Sequence, residues 1–172
     1  LCDLIEINDS LWQGAVEGYL NTQKFYIIVE PRYYDIAAQV YDRVKKKISG
    51  VGLVNTLKIP VDAELSEDSL ARKVTSQNIF AMQYINFLLG KVHCCNSIDE
   101  LKSYPTAITP ECMLYHNHAL RKIPEKVYAV PYIGPYAAKR QLEIKSEELN
   151  KKRSSREDLN KFLANIKKTV EL

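Results

Sequence analysis

The sequence has no run of about 18 apolar residues, so no segment reads as a membrane span. It has no Cys-x-x-Cys pair and no glycine-rich turn leading to Lys-Ser or Lys-Thr, which leaves zinc-finger and phosphate-loop chemistry without their usual marks. Gly50-Val-Gly52 runs into an apolar, strand-like stretch and reads as a turn. The excess of positive charge is only +3, so the whole chain is not an electrostatic nucleic-acid binder; local clusters must carry any such role. The chain opens at Leu1 without Met and without a basic stretch before a short apolar core. It therefore reads as a piece of a longer protein with no secretory signal. The four cysteines are few, and Cys94 and Cys95 are adjacent in an apolar run. Strand neighbours point to opposite faces, which suits burial better than a disulfide framework, so a reducing cytoplasm is expected.

The 172 residues suffice for one ordinary domain with a core, plus whatever extends from it. Ser10 and Gln13 have capping-box spacing, and Leu11, Ala15, Tyr19 and Leu20 follow with helical period up to Asn21. Phe25 to Val29 predicts a strand ended by Pro31. Asp35 to Ile48 predicts a helix with an Ile36, Val40, Val44, Ile48 stripe and three lysines in its last turn. Val51 to Ile59 predicts a second strand, and Pro60 to Asp68 an acidic loop. A short helix near Ser69 and a longer one over Asn78 to Leu89, stopped by Gly90, come next. Val92 to Cys95 predicts a strand, and Ser97 with Glu100 caps a short helix reaching Ser103. Three short strands are expected at Ala107 to Thr109, Met113 to Tyr115 and Ala119 to Ile123. The order helix, strand, helix, strand thus occurs twice, without residue-level repetition. It predicts an α/β (α+β) body of small mixed sheets and helices over residues 1–133, with halves at about 1–65 and 66–133.

Residues 134–172 differ. Pro135 suits a helix start, and Tyr136 to Leu172 contains neither glycine nor proline. Leu142, Leu149, Leu163 and Val170 share one heptad position, interrupted by Arg156; Leu159 and Ile166 share a second. Lys145 and Lys152 also fall on the seam, which weakens its first part. A helix of about 36 residues would be roughly 54 Å long, too long for such a body to cover and too polar to be stable alone. A coiled-coil arm with a partner helix follows; an amphipathic helix folded on the body is the alternative.

Chemistry is poorly represented. His93, Cys94, Cys95, Cys112, His116 and His118 are soft or borderline ligands, but their pattern suits core cysteines and a polar hairpin better than a metal centre. No third group or oxyanion pocket accompanies a Cys–His pair. Asp62, Glu64, Glu67 and Asp68 fall in one loop and read as a solvated face. No catalytic residue and no cofactor is expected. Candidate DNA contacts are Lys45, Lys46, Lys47, Arg121, Lys122, Lys151, Lys152, Arg153 and Arg156.

Trp12 to Leu20, Phe25 to Val29, a helix and Leu53-Val54 resemble the first half of an SMC hinge. Phe87-Leu-Leu-Gly-Lys-Val-His-Cys-Cys-Asn-Ser-Ile-Asp-Glu-Leu101, Ala107 to Met113, Tyr132-Ile-Gly-Pro135 and Gln141-Leu142 resemble its second half and its exit into coiled coil. Over residues 4–150 the chain resembles MukB-like SMC ATPases of bacterial Wadjet systems, the JetC or MksB-type subunit. That resemblance implies a cytoplasmic, nucleoid- or plasmid-associated homodimer with antiparallel arms from one full-length chain, ATPase heads elsewhere, and DNA enclosure in plasmid defence. Cys112 to Ile123 lacks the paired glycines many such hinges carry at the seam, so the interface is expected to be smaller or differently built. Met113, Leu114, Tyr115 and Asn117 are the expected dimer strand, facing Leu53 and Asn55. The rival readings are a monomeric protein-interaction adaptor with a partner-binding helix, a metal protein or small enzyme, and a DNA-binding module.

Overall fold

The computed structural model describes residues 1–61 and 65–170, with side chains to residue 166. It divides into two compact units, Leu1–Ala137 and Ala138–Leu172. Asp62 and Glu64 of the expected acidic loop lie outside the described residues, while Glu67 and Asp68 are exposed.

In the first unit, α1 (Gln13–Leu20) is entered through a 3-10 turn, Ser10–Trp12. Asp9 is the capping residue: its carboxylate accepts the Leu11 N–H at 3.1 Å. The expected Ser10–Gln13 box is displaced because the tighter turn places Asp9, not Ser10, opposite the free N–H groups. Asn21 ends the helix with φ 47° and ψ −124°, outside the left-handed helical region and strained for a residue with a side chain. β2 (Ile27–Ile28) and β3 (Leu53–Val54) pair in parallel, joined by α2 (Tyr34–Val44). α2 stops before the three lysines instead of containing them. Lys47 N–H closes a tight turn on Val44 O at 2.7 Å, and Gly50 reverses the chain at φ 73°. No residue of α2 is buried; Ile36 is 63% and Val40 51% exposed. Gly52 is required by proximity: a Cβ there would meet the Tyr26 ring at 2.8 Å.

The second half repeats the plan. α3 (Ile79–Leu89) is capped by Asn78, whose side chain accepts the Phe80 and Ala81 N–H groups, a device worth about 1 kcal/mol. β5 (His93–Cys94) and β6 (Thr106–Ile108) pair in parallel, joined by α4 (Ile98–Leu101). Glu100 reaches back from α4 to the Asn96 N–H at 3.0 Å, while Ser97 makes no side-chain cap. β7 (Met113–His116) and β8 (Ala119–Lys122) extend that sheet antiparallel, giving the order β5-β6-β7-β8. β1 (Glu6–Ile7) and β4 (Val74–Thr75) pair antiparallel, tying the first residues of the chain to the entry of the second half. α1 and α3 supply the fully buried Ala15, Val16, Leu20, Ala81, Ile85 and Leu89 of one core. A smaller cluster of Cys95, Leu101 and Ala107 sits under Tyr104, Met113 and Tyr115. The architecture is the expected mix of small sheets and helices.

α5 (Ala137–Val170) spans 34 residues, about 51 Å at 1.5 Å per residue.

Burial pushes the Cys94 thiol and the Tyr84 phenol up to about 12. Both therefore hold their protons in the folded body at a pH where the unfolded chain has released them. Above pH about 9 the unfolded state binds fewer protons than the folded state, so stability falls as pH rises from there toward 12. Urea midpoints measured across that range should decline steadily; a flat profile would contradict the burial of these groups.

Candidate functional site

The four-stranded sheet has one long free edge. β7 lies between β6 and β8, so the outer strand is β8, not the expected β7. All four β8 residues are exposed, and Leu120 is 49% exposed. Leu114, expected at a partner surface, is only 3% exposed and belongs to the main core. Met113 and Tyr115 are half-buried on the smaller cluster. They alternate with Leu114 because successive strand side chains point to opposite faces, and both faces of β7 are covered. Asn117 is exposed at the hairpin tip.

The hairpin geometry fixes which backbone groups face outward. Asn117 (φ 50°) and His118 (φ 62°) make a two-residue turn with both central residues left-handed, the type that suits strand twist. His116 and Ala119 then form a hydrogen-bonded pair, and so does Leu114 with Arg121. The Ile123 N–H on Cys112 O at 2.9 Å continues the alternation. The N–H and C=O of Leu120 and Lys122 are left pointing away from β7, toward any incoming strand. Thr106 Oγ1 lies 2.9 Å from His116 Nδ1 and ties β6 to β7 beside the turn.

The first half offers the other edges. β2 and β3 form a two-stranded sheet, and each has an outer side with no strand on it among the described residues. Leu53 and Asn55 are half-buried there, with Asn55 Oδ1 turned inward. Sequence reasoning placed the opposing strand on β3 and a strand at Ala119 to Ile123, but did not single out β8 as the edge, because three short strands of similar composition carry no mark of which is outermost. Beside β8 lies a cleft of about 270 Å³ between the end of α1 and the hairpin, with Tyr19, Asn21, His116 and Arg121 on its polar side.

The basic candidates are exposed: Lys45, Lys46 and Lys47 after α2, Arg121 and Lys122 on β8, and Lys151, Lys152, Arg153 and Arg156 on α5. Lys45 is already paired with Asp42 at 2.6 Å. In the second unit Leu142, Leu149, Leu159, Leu163 and Ile166 are all exposed, with Phe162 beside them; Val170 is helical, but its side chain lies outside the described residues. Between Leu149 and Leu159 the helix carries no apolar residue.

The thiols are not poised for reaction. All four cysteines are free, and burial raises each of their pKa values, which disfavours the thiolate. His93 stacks on Tyr104 with ring centroids 4.1 Å apart. Among the described residues no three His, Cys, Asp or Glu side chains group around a common point that would hold a metal ion. Among the same residues no helix is long and apolar enough to cross a membrane.

No family model matches the chain, and no curated protein is similar to it by sequence. Solved structures are similar in shape. The Pyrococcus furiosus SMC hinge domain aligns at 21% identity and TM-score 0.55, over 69% of this chain and 67% of that one. The same hinge with an extended coiled coil aligns at 18% and 0.57, over 90% of this chain and 56% of that one. An asymmetric dimer of the Geobacillus stearothermophilus SMC hinge domain aligns at 16% and 0.58, covering 88% and 66%. The chain has the fold of an SMC hinge domain.

The edge geometry predicts an alternation in amide exchange. In dilute protein the Leu120 and Lys122 amides should exchange much faster than those of Ala119 and Arg121. Two-dimensional NMR of the exchanging amides reads the difference. Equal rates at all four positions would contradict the register.

Proposed function

We propose that this chain is the non-enzymatic dimerisation hinge of an SMC-like ATPase, with the start of a coiled-coil arm. The observation that carries the reading is the β8 edge, four exposed residues long, in a body with the SMC hinge fold. An unpaired edge with outward N–H and C=O groups is a template for another strand. The occupant is the β2–β3 edge of a second copy, near Leu53 and Asn55. Two such contacts related by a two-fold axis close on themselves, so pairing stops at the dimer.

The exposed stripe of α5 supports an arm whose partner helix comes from the same full-length chain. ATPase chemistry then lies in heads outside this sequence, and the hinge joins two arms so that the assembly encloses DNA. The finer assignment, to the MukB-like JetC or MksB-type subunit of a Wadjet plasmid-defence system in the bacterial cytoplasm, rests on the sequence resemblance over about residues 4–150. Direct DNA contact through the basic clusters belongs to the same reading. Its signature is binding that weakens about a hundredfold or more between 50 and 200 mM salt and weakens further when Lys151, Lys152, Arg153 and Arg156 are neutralised. Salt-independent retention would remove DNA contact from the proposal.

Leu120→Pro tests the edge. Proline at an outward N–H removes a donor needed by the partner and leaves the β7–β8 hydrogen bonds intact. Wild-type protein should show twice its 19.7 kDa mass by light scattering at high concentration, and Leu120→Pro should stay at the single mass with unchanged circular dichroism. A wild-type chain that remains monomeric, as the adaptor reading expects, or a variant that pairs equally well, would sink the proposal.

A further inference from the structure

We propose that Glu17 is the positioning residue that anchors the root of α5 to the body. Calling α5 an arm rests on the reading above; the contacts themselves do not.

Glu17 lies in the middle of α1 with 0% exposure, where an apolar side chain is the usual occupant. Its Oε1 accepts two successive backbone N–H groups, from Tyr132 at 2.6 Å and Ile133 at 2.7 Å. The Gln13 amide donates to the same oxygen at 3.2 Å. Its Oε2 meets the Lys24 ammonium at 2.8 Å as an ion pair and has no hydrogen bond of its own among the described residues. Lys24, 2% exposed, also donates to Val127 O at 2.9 Å and to Glu17 O at 3.4 Å. The pair therefore grips residues 127–133 at both ends, across more than 100 residues of sequence.

That segment needs such a grip. After the 3-10 turn Glu125–Val127 it forms no strand and no helix until α5 begins at Ala137. Its backbone bonds at Tyr128 and Ala129 are local, both to Glu125 O. Rings complete the clamp: Phe25 meets Tyr132 edge-on with centroids 4.9 Å apart, and the Lys24 ammonium lies 5.2 Å from the Tyr132 ring centre. Ile133 is the last residue held by the carboxylate, four positions before the helix. A charge-assisted acceptor for two consecutive N–H groups fixes the backbone of Tyr132 and Ile133 against α1, which an apolar contact would not do.

The experiment is amide exchange on the whole chain for Glu17→Gln and for Glu17→Met with Lys24→Met, the second of which removes the acceptor itself. The single change leaves Lys24 without its counter-charge, and one face of the new amide presents N–H to other donors. The double change neutralises the pair, so the body is expected to melt close to wild type. In both, the Tyr132 and Ile133 amides and the first turn of α5 should exchange at least about tenfold faster, while α3, β6 and β7 keep their wild-type rates. Unchanged rates at Tyr132 and Ile133 overturn the proposal. So does acceleration spread evenly over the body, or a double variant that cannot fold, because each makes the pair a general stabiliser instead of an anchor. Light scattering on the same samples reports pairing separately. Wild-type protein that never dimerises counts against the hinge reading and leaves the exchange result interpretable.

Discussion

A carboxylate and an ammonium that are both out of water are tolerable only when nearly every lone pair and proton has a partner. Breaking one side of such a pair costs about 3–5 kcal/mol, a large part of what holds a body of this size together. Glu17 and Lys24 come close to that condition by drawing in groups from the far end of the body, the Tyr132 and Ile133 N–H groups and the Val127 carbonyl, while Oε2 has the ammonium alone. The first helix therefore cannot reach its final environment until residues 127–133 arrive. Chain ends far apart in sequence are made interdependent, and the two half-bodies between them are closed into one unit. The β1–β4 pairing performs the same task at the other seam, bringing Glu6 opposite Thr75.

Within that closure the two halves follow one plan: a buried helix, then a parallel strand pair bridged by a second helix. The halves diverge at their margins. The first stops at two strands and leaves α2 with an apolar stripe in solvent. The second continues into a hairpin whose last strand is bare. Turn chemistry explains how that hairpin forms without glycine. Asn117 and His118 accept the left-handed conformation that the turn demands, so the missing glycine pair does not prevent a tight reversal. It changes instead what an incoming strand would meet, since β8 presents Leu120, Arg121 and Lys122 side chains and not bare backbone.

Much of this organisation was legible in the sequence. Apolar period and turn residues located β5 to β8, α3 with its stop at Gly90, and the long uninterrupted final helix, but not the two-residue β4. Local rules failed where two of them competed. The lysine run after Val44 was read as a dipole-favoured last turn, yet the chain leaves the helix before it. Asp9 outcompetes Ser10 as a cap because a 3-10 turn intervenes. The free edge was misplaced by one strand, since the order of β6, β7 and β8 is set by pairing and not by composition. Glu17 and Lys24 left no trace in a local reading. They are seven residues apart on ordinary-looking segments, and their partners lie more than 100 positions away.

A bare strand edge is also a hazard, because nothing in its backbone distinguishes the right neighbour from an endless succession of copies. β8 carries two adjacent cations, and Arg121 and Lys122 point to opposite sides of the sheet. A stack of identical β8 strands would line up these charges on both faces without counter-ions. The edge is thereby open to a complementary surface and closed to its own repetition. A hairpin of four-residue strands can thus stay sticky enough to assemble and still resist running on into fibrils.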